Sequence, residues 1–159
     1  MPMHERADAR FEPSDGAAHH PGAFTWPVRV YYEDTDAGGV VYYANYLKFF
    51  ERCRTEWLRA LGVDQATLAR EQGLQFVVTE IEAKYLAPAR LDDELTVEAR
   101  VDQLGRCSLA FEQRATRGGE VLALARVKVA CMHVQRRVPA RLPQSIREGI
   151  RSSIARGTG

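Results

Sequence analysis

Histidine is scarce in this sequence. Three of its four, His4, His19 and His20, fall within the first twenty residues, which leaves His133 for the rest of a 159-residue chain. Ser-His-Asp and Cys-His chemistry needs a base held beside its nucleophile, so a single histidine argues against both. Cysteine is thinner still: Cys53, Cys107 and Cys131 form an odd, widely spaced set with no CxxC pair. They read as free thiols of a reducing compartment rather than as a disulfide framework or a metal cage. An excess of one charge is absent too, since 22 Lys plus Arg against 21 Asp plus Glu leaves a net +1. A general nucleic-acid binder would show a basic surplus, and none is expected here. No apolar run approaches the ~20 residues of a membrane span, and no apolar signal core opens the chain. The expectation is a cytoplasmic protein without a transmembrane segment.

What is present has a clear order. Residues 1–24 mix charge, Pro, Gly and Ala without periodicity and are expected to be a disordered tail. "FTWPVRVYYE" alternates as a short strand, and "DTDAGG" breaks it. From Val41 the period changes, with Tyr42, Tyr46, Phe49, Phe50, Cys53, Trp57 and Leu61 at helical spacing and Gly62 as a stop. That predicts a helix of about five turns with a broad apolar face. "DQATLAREQGL" reads as a short second helix with Asp64 as N-cap. Four strand-like runs follow, "QFVVTEIEAKYLA", "DELTVEARVDQL", "RCSLAFEQRAT" and "VLALARVKVACMHV", the last two joined by the tight "RGGE" turn. Pro139 and Pro143 mark an exit into a C-terminal extension, residues 139–159, with a short helix. The folded domain is expected over residues 25–138.

Strands without intervening helices favour an antiparallel sheet, and one long apolar helix suits one face of it. The predicted fold is therefore α+β, a curved antiparallel sheet wrapped around one central helix. Such a sheet keeps an open edge, and a homo-oligomer is expected to cover it.

The chemistry-bearing segment is "YYEDTDAGGVVYYANYL", where Glu33, Asp34, Asp36, Gly38 and Gly39 precede the helix. A helix start presents unpaired N–H groups, and glycines let a ligand approach the backbone. An oxygen over those groups would be polarised, as in an oxyanion hole. A carboxylate, with an unperturbed pKa of about 4, is ionised at neutral pH and can activate water or attack an acyl carbon. The same acids would also serve simply as helix caps, and the aromatics Tyr42, Tyr43, Tyr46, Phe49 and Phe50 as core. The residues alone leave both readings open.

"VRVYYEDTDAGGVVYYANYLKFFERCRTEWLRALG" resembles the opening strand and central helix of hotdog-fold acyl-CoA thioesterases. The likeness extends through "FVVTEIEAKYLAPARLDDELTV" and "LGRCSLAFEQRAT" to "RLPQSI", over roughly residues 26–146. It is strongest toward the YbgC branch associated with the Tol-Pal system, with 4-hydroxybenzoyl-CoA thioesterases as more distant relatives. The resemblance implies hydrolysis of a short-chain or aromatic acyl-CoA to free acid and CoA, with acyl carrier protein as an alternative carrier. It puts the catalytic aspartate on Asp36, as nucleophile or general base. Gly39 and the helix start at Val41 to Tyr43 would polarise the thioester carbonyl, with Tyr42 beside the substrate. Tyr43 stands where many YbgC-type members have histidine, and tyrosine there is similar to the hydroxybenzoyl branch. Asp34 is expected to shape the loop by hydrogen bonding. Arg90, Arg106 and Ser108 are candidates for binding coenzyme A, whose phosphates suit the forked guanidinium. The family assembles sites between subunits of a dimer or dimer of dimers, so Arg106 and Ser108 are candidates to serve a neighbour's Asp36. The resemblance implies no metal and no cofactor, coenzyme A being part of the substrate. Two rivals stand beside this reading: a dehydratase or hydratase of the same fold, and a non-catalytic acyl-CoA or acyl-carrier-protein binding module in an envelope or lipid-synthesis complex.

Overall fold

Alternation of Leu95, Val97 and Ala99 with Thr96, Glu98 and Arg100 gives a strand whose apolar side needs a partner layer, and the long helix that follows "DTDAGG" provides it. The structure, a computed structural model, describes residues 22–157. The tail expected over residues 1–24 lies almost wholly outside them, as do His4, His19 and His20. In chain order the elements are β1 (Phe24–Arg29), a 3-10 turn (Tyr32–Asp34), α1 (Asn45–Ala60), α2 (Gln65–Gln72), β2 (Leu74–Tyr85), β3 (Glu94–Leu104), β4 (Ser108–Arg117), β5 (Glu120–His133) and α3 (Gln144–Gly157). The strands form one antiparallel sheet in the order β1-β3-β4-β5-β2. Gly118 and Gly119, both at positive φ, make the two-residue turn that joins β4 to β5.

The inner face of α1 is carried by Tyr46, Phe49, Phe50, Cys53 and Trp57, none more than 4% exposed. It rests on Leu95, Val97 and Ala99 of β3, Phe111 and Ala115 of β4, and Ala123, Ala125 and Val127 of β5. Burial at this core pushes the Cys53 thiol up to about 12, so it packs as an apolar group. One polar tie crosses the layer: buried Arg54 donates to Gln113 Oε1 (2.8 Å), and Gln113 Nε2 donates to the Phe50 carbonyl (3.0 Å). Asp64 caps α2 by accepting from the Ala66 and Thr67 amides. The C-terminal helix is part of the core, with Ile146 at 2% and Ile150 at 0% exposure.

The extent of α1 differs from the sequence reading. Helical periodicity predicts a start at Val41, yet the helix begins at Asn45 and runs 16 residues, about four and a half turns. Val40 and Val41 instead make isolated antiparallel bridges, Val40 with Arg90 and Val41 with Thr35. Two β-branched valines placed beside free backbone partners prefer the extended pairing to the helix.

Candidate active site

Residues 30–44 connect β1 to α1, and hydrogen bonds of residues 31–44 among themselves shape most of the connection. Asp34, buried, accepts from the Tyr31 amide through Oδ2 (2.8 Å). Its carbonyl takes the Tyr42 amide (3.0 Å) and the Asn45 side-chain amide (2.8 Å). Asp34 is thus spent on structure, tying the 3-10 turn to the entrance of α1.

Asp36 is the opposite case. Its backbone is fixed on both sides, its amide donating to Val40 O (2.9 Å) and its carbonyl accepting from Gly39 (3.0 Å). Its Oδ1 accepts from the Gly38 amide (2.8 Å) and, at 3.5 Å, from Val40. Its Oδ2 has no hydrogen-bond partner among the described residues, and the side chain stands at the surface. One oxygen orients the carboxylate while the other is left for a ligand. The two glycines are needed for this: Gly39 sits at φ +77°, and a Cβ on Gly38 would stand 3.2 Å from Asp36 Oδ1.

The chain then supplies donors. Val41 N–H is taken by Ala89 O (2.8 Å) and Tyr42 N–H by Asp34 O (3.0 Å). Intrahelical pairing begins with Asn45 N–H to Tyr42 O and Tyr46 N–H to Tyr43 O. Among the described residues no hydrogen bond engages the amides of Tyr43 or Ala44. The free N–H groups at the helix entrance therefore fall two residues later than periodicity suggests, because the bridges at Val40 and Val41 consume the earlier ones.

A line of tyrosines flanks this point. Tyr43, 58% exposed, meets Tyr42 at 4.8 Å and Tyr85 of β2 edge-on at 5.9 Å, and Tyr85 meets Tyr46 at 5.6 Å. The Tyr42 hydroxyl is raised above its ordinary range by its hydrogen bond to Tyr43 and by Tyr43's charge. Burial raises that of Tyr85, with Tyr43 adding to it. The carboxylate, the free amides and an aromatic wall thus share one end of the sheet.

Of the sequence candidates, Asp36, Gly39, Val41, Tyr42 and Tyr43 lie in this loop, and Arg90 joins them through its bridge to Val40. Arg106 and Ser108 do not. They sit in and after the β3–β4 turn, at the other end of β3, whose 11 residues span roughly 35 Å. Exposed there, Ser108 lines an open cleft of about 550 Å³ with Thr79, Gly105 and Lys128. The Arg106 carbonyl anchors the C-terminal segment by accepting from Leu142 N–H and Arg147. His133 lies at the end of β5, against the start of β2, also far from Asp36.

Sequence reasoning missed Arg117 and Asp93. Arg117 donates to Asp93 Oδ2 (2.7 Å), Pro88 O (3.1 Å) and Glu120 (2.9 Å). The Asp93 carboxyl is held below the usual carboxylate range, first by the Arg90 amide and then by Arg117. Nothing local marks such a pair, because its members are 24 residues apart.

The chain as a whole has relatives. The model of the thioesterase-like superfamily matches residues 30–150. The Haemophilus influenzae "Acyl-CoA thioesterase YbgC" is 50% identical over 124 residues, covering 78% of this chain and 91% of that protein. The "1,4-dihydroxy-2-naphthoyl-CoA hydrolase" of Thermosynechococcus vestitus is 30% identical over 126 residues, 78% of this chain and 86% of that one. Among solved structures, "Probable Thioesterase from Bartonella henselae" superposes with a TM-score of 0.73 at 39% identity, covering 76% of this chain and 99% of that one.

Proposed function

The chain belongs to the thioesterase-like superfamily of hotdog-fold proteins, and we propose that it is an acyl-CoA thioesterase working through Asp36 and the Tyr43 amide. It cleaves the thioester to a free acid and CoA-SH. The observation that carries this reading is the division of labour in residues 34–43. Asp34 is consumed by the loop, Asp36 keeps one free carboxylate oxygen, and the amides of Tyr43 and Ala44 at the entrance of α1 are unclaimed among the described residues. A thioester carbonyl over Tyr43 N–H is polarised as charge develops on its oxygen. Asp36 then attacks the acyl carbon, expelling the CoA thiolate and forming an anhydride that water hydrolyses to the free acid. Alternatively, it takes a proton from a water that attacks directly and passes it to the departing thiolate. The tyrosine hydroxyls and rings sit beside this point and line the acyl side.

The tyrosine wall of Tyr42, Tyr43 and Tyr85 supports a short-chain or aromatic acyl group, since rings accept either by apolar or edge-to-face contact. Arg90, joined to the loop, is the candidate for a coenzyme A phosphate within the same copy. Coenzyme A is preferred as carrier over acyl carrier protein on the strength of the relatives' names. The reaction as read needs no metal or other cofactor.

The site is open in one copy, and the sheet offers a place for another. Edge strand β2 exposes Val77, Val78, Ile81 and Tyr85, followed by Leu86, and an unpaired apolar edge invites strand-to-strand association. A two-fold axis across that edge runs the two β2 strands antiparallel. It brings the far end of one copy toward the Asp36 end of the other, which is how Arg106 and Ser108 would serve a neighbour. A dimer, or a dimer of dimers, is the proposed assembly. A cytoplasmic setting rests on composition and on the described residues containing no helix long and apolar enough to cross a membrane. An association with the Tol-Pal system rests on the family branch alone.

A panel of aliphatic and aromatic acyl-CoAs assayed for thiol release tests the reading. Release from at least one class is expected. Acyl-CoA binding without thiol release would favour the binding module, and loss or gain of water across the acyl chain without thiol release would favour a dehydratase or hydratase.

A further inference from the structure

The loop that holds the Asp36 segment from outside is residues 88–93, between β2 and β3. Buried Ala89 accepts the Val41 amide (2.8 Å) and donates its own to the Tyr46 hydroxyl (3.2 Å). Arg90 bridges Val40. The loop's C-terminal end is pinned in turn to Val30, the residue after β1, Asp92 N–H to Val30 O (3.0 Å) and Val30 N–H to Asp93 O (2.9 Å). It turns tightly, with the Arg90 amide on Asp93 Oδ2 (2.9 Å), the Asp93 amide on Arg90 O (3.1 Å) and Asp92 at φ +69°.

One side chain closes this turn. Arg117, at the end of β4, places the same Nη1 on Asp93 Oδ2 and on Pro88 O, the last and first residues of the loop. Its Nη2 takes Glu120, which holds the guanidinium in plane. One nitrogen bonded to both ends of the loop fixes its width, and the other arm of the planar fork, held on Glu120, keeps that nitrogen in place as a freely rotating ammonium would not be kept. The side chains are partly exposed, Arg117 at 31% and Asp93 at 24%, and ion pairs of that exposure add little to global stability. The pair is therefore poorly explained as a fold-stabilising contact.

We propose that Arg117 and Asp93 are positioning residues for the thioesterase reaction, a clasp that sets residues 88–93 so that Val40 and Val41 hold Asp36 and the Tyr43 amide at their working separation. Val40 is bonded to Asp36 at backbone and side chain, and Val41 precedes by two the residue whose amide is free. Movement of the loop would shift the carboxylate relative to the amide through the pairings at Val40 and Val41. Neither Arg117 nor Asp93 touches the reacting atoms. The inference rests on the thioesterase reading for its kinetics, and its second readout does not.

Arg117→Met and Asp93→Asn, alone and together, are compared with wild type on an acyl-CoA that wild type cleaves. Each single variant is expected to lose between about tenfold and a hundredfold in kcat, with KM unchanged and Tm lowered by no more than about 4 °C. The double variant should lose no more than the worse single one, because one device is removed twice. Arg117→Lys, which keeps the charge but not the fork, should restore part of the loss. Amide hydrogen exchange gives the independent readout: Val41 N–H should exchange faster in Arg117→Met while Val97 N–H in β3 does not. A rise in KM at unchanged kcat would make Arg117 a phosphate contact and overturn the proposal. So would full kcat, additive losses, or activity that falls only with the folded fraction. Should wild type release no thiol, the thioesterase reading fails by itself, and unchanged Val41 exchange would still overturn the clasp.

Discussion

Residues 36–43 and helix α1 are consecutive in the chain and are held by opposite means. The helix is fixed by burial: Phe49 and Cys53 are fully buried and Phe50 is 1% exposed. The loop is fixed by hydrogen bonds to backbone at Asp34, Val40 and Ala89, while Asp36, Tyr42 and Tyr43 face outward. Apolar packing saturates its groups by covering them. Hydrogen bonding fixes one valence and leaves another free, as at Asp36 Oδ1 and Oδ2. Reactive groups can be rigid and accessible together only under the second arrangement.

The contrast can be broken from either side. Phe49→Ala should cost about 3–5 kcal/mol of stability by opening a cavity under α1, read from denaturant midpoints. The fraction that remains folded should keep its specific activity, and a disproportionate loss of turnover would show that the core also sets the site. Tyr46→Phe probes the atom where the two regions meet. Its hydroxyl is the acceptor for the buried Ala89 amide, and removal should cost ~1–3 kcal/mol together with some kcat. Gly39→Ala acts on the loop alone. With φ at +77° and nothing within 4 Å of the new Cβ, the cost is backbone strain of ~1–2 kcal/mol. Turnover is expected to fall more steeply than Tm in this variant, the reverse of Phe49→Ala.

The smallest effect is expected from pH. The folded Asp93 carboxyl titrates below its ordinary value, owing first to the Arg90 amide and then to Arg117, itself shared with Glu120. Its contribution to stability is thus complete above the unfolded value of about 4 and is lost as pH falls through the lower folded one. Unfolding free energies measured from pH 6 down to 3 should show a shallower decline in Asp93→Asn than in wild type.

The same contrast explains what the sequence could tell. Strand alternation, the apolar spacing of α1, the Asp64 cap and the Gly118–Gly119 turn are local signals, and the structure places each where the pattern puts it. The start of α1 was not legible, because two of the partners that hold Val40 and Val41 extended, Arg90 and Ala89, lie far along the chain. Periodicity sees only that valines fit a helix face. For the same reason the free amides move from Val41 and Tyr42 to Tyr43 and Ala44. The three acids of "YYEDTD" are indistinguishable by composition, and only folded hydrogen bonds separate Asp34, which is spent, from Asp36, which is not. Arg117 is invisible for the reason the bridges are: its partners come from a loop on another connection.

Thiol release by Asp36→Asn beside wild type, on an acyl-CoA that wild type cleaves, bears most directly on the assignment of chemistry to this carboxylate. The substitution keeps the Oδ1 acceptor for Gly38 and removes the charge, so fold and acyl-CoA affinity by calorimetry should be retained. Turnover should fall by roughly 10²–10⁴-fold. Turnover near that of wild type, with binding intact, would take the reaction away from Asp36.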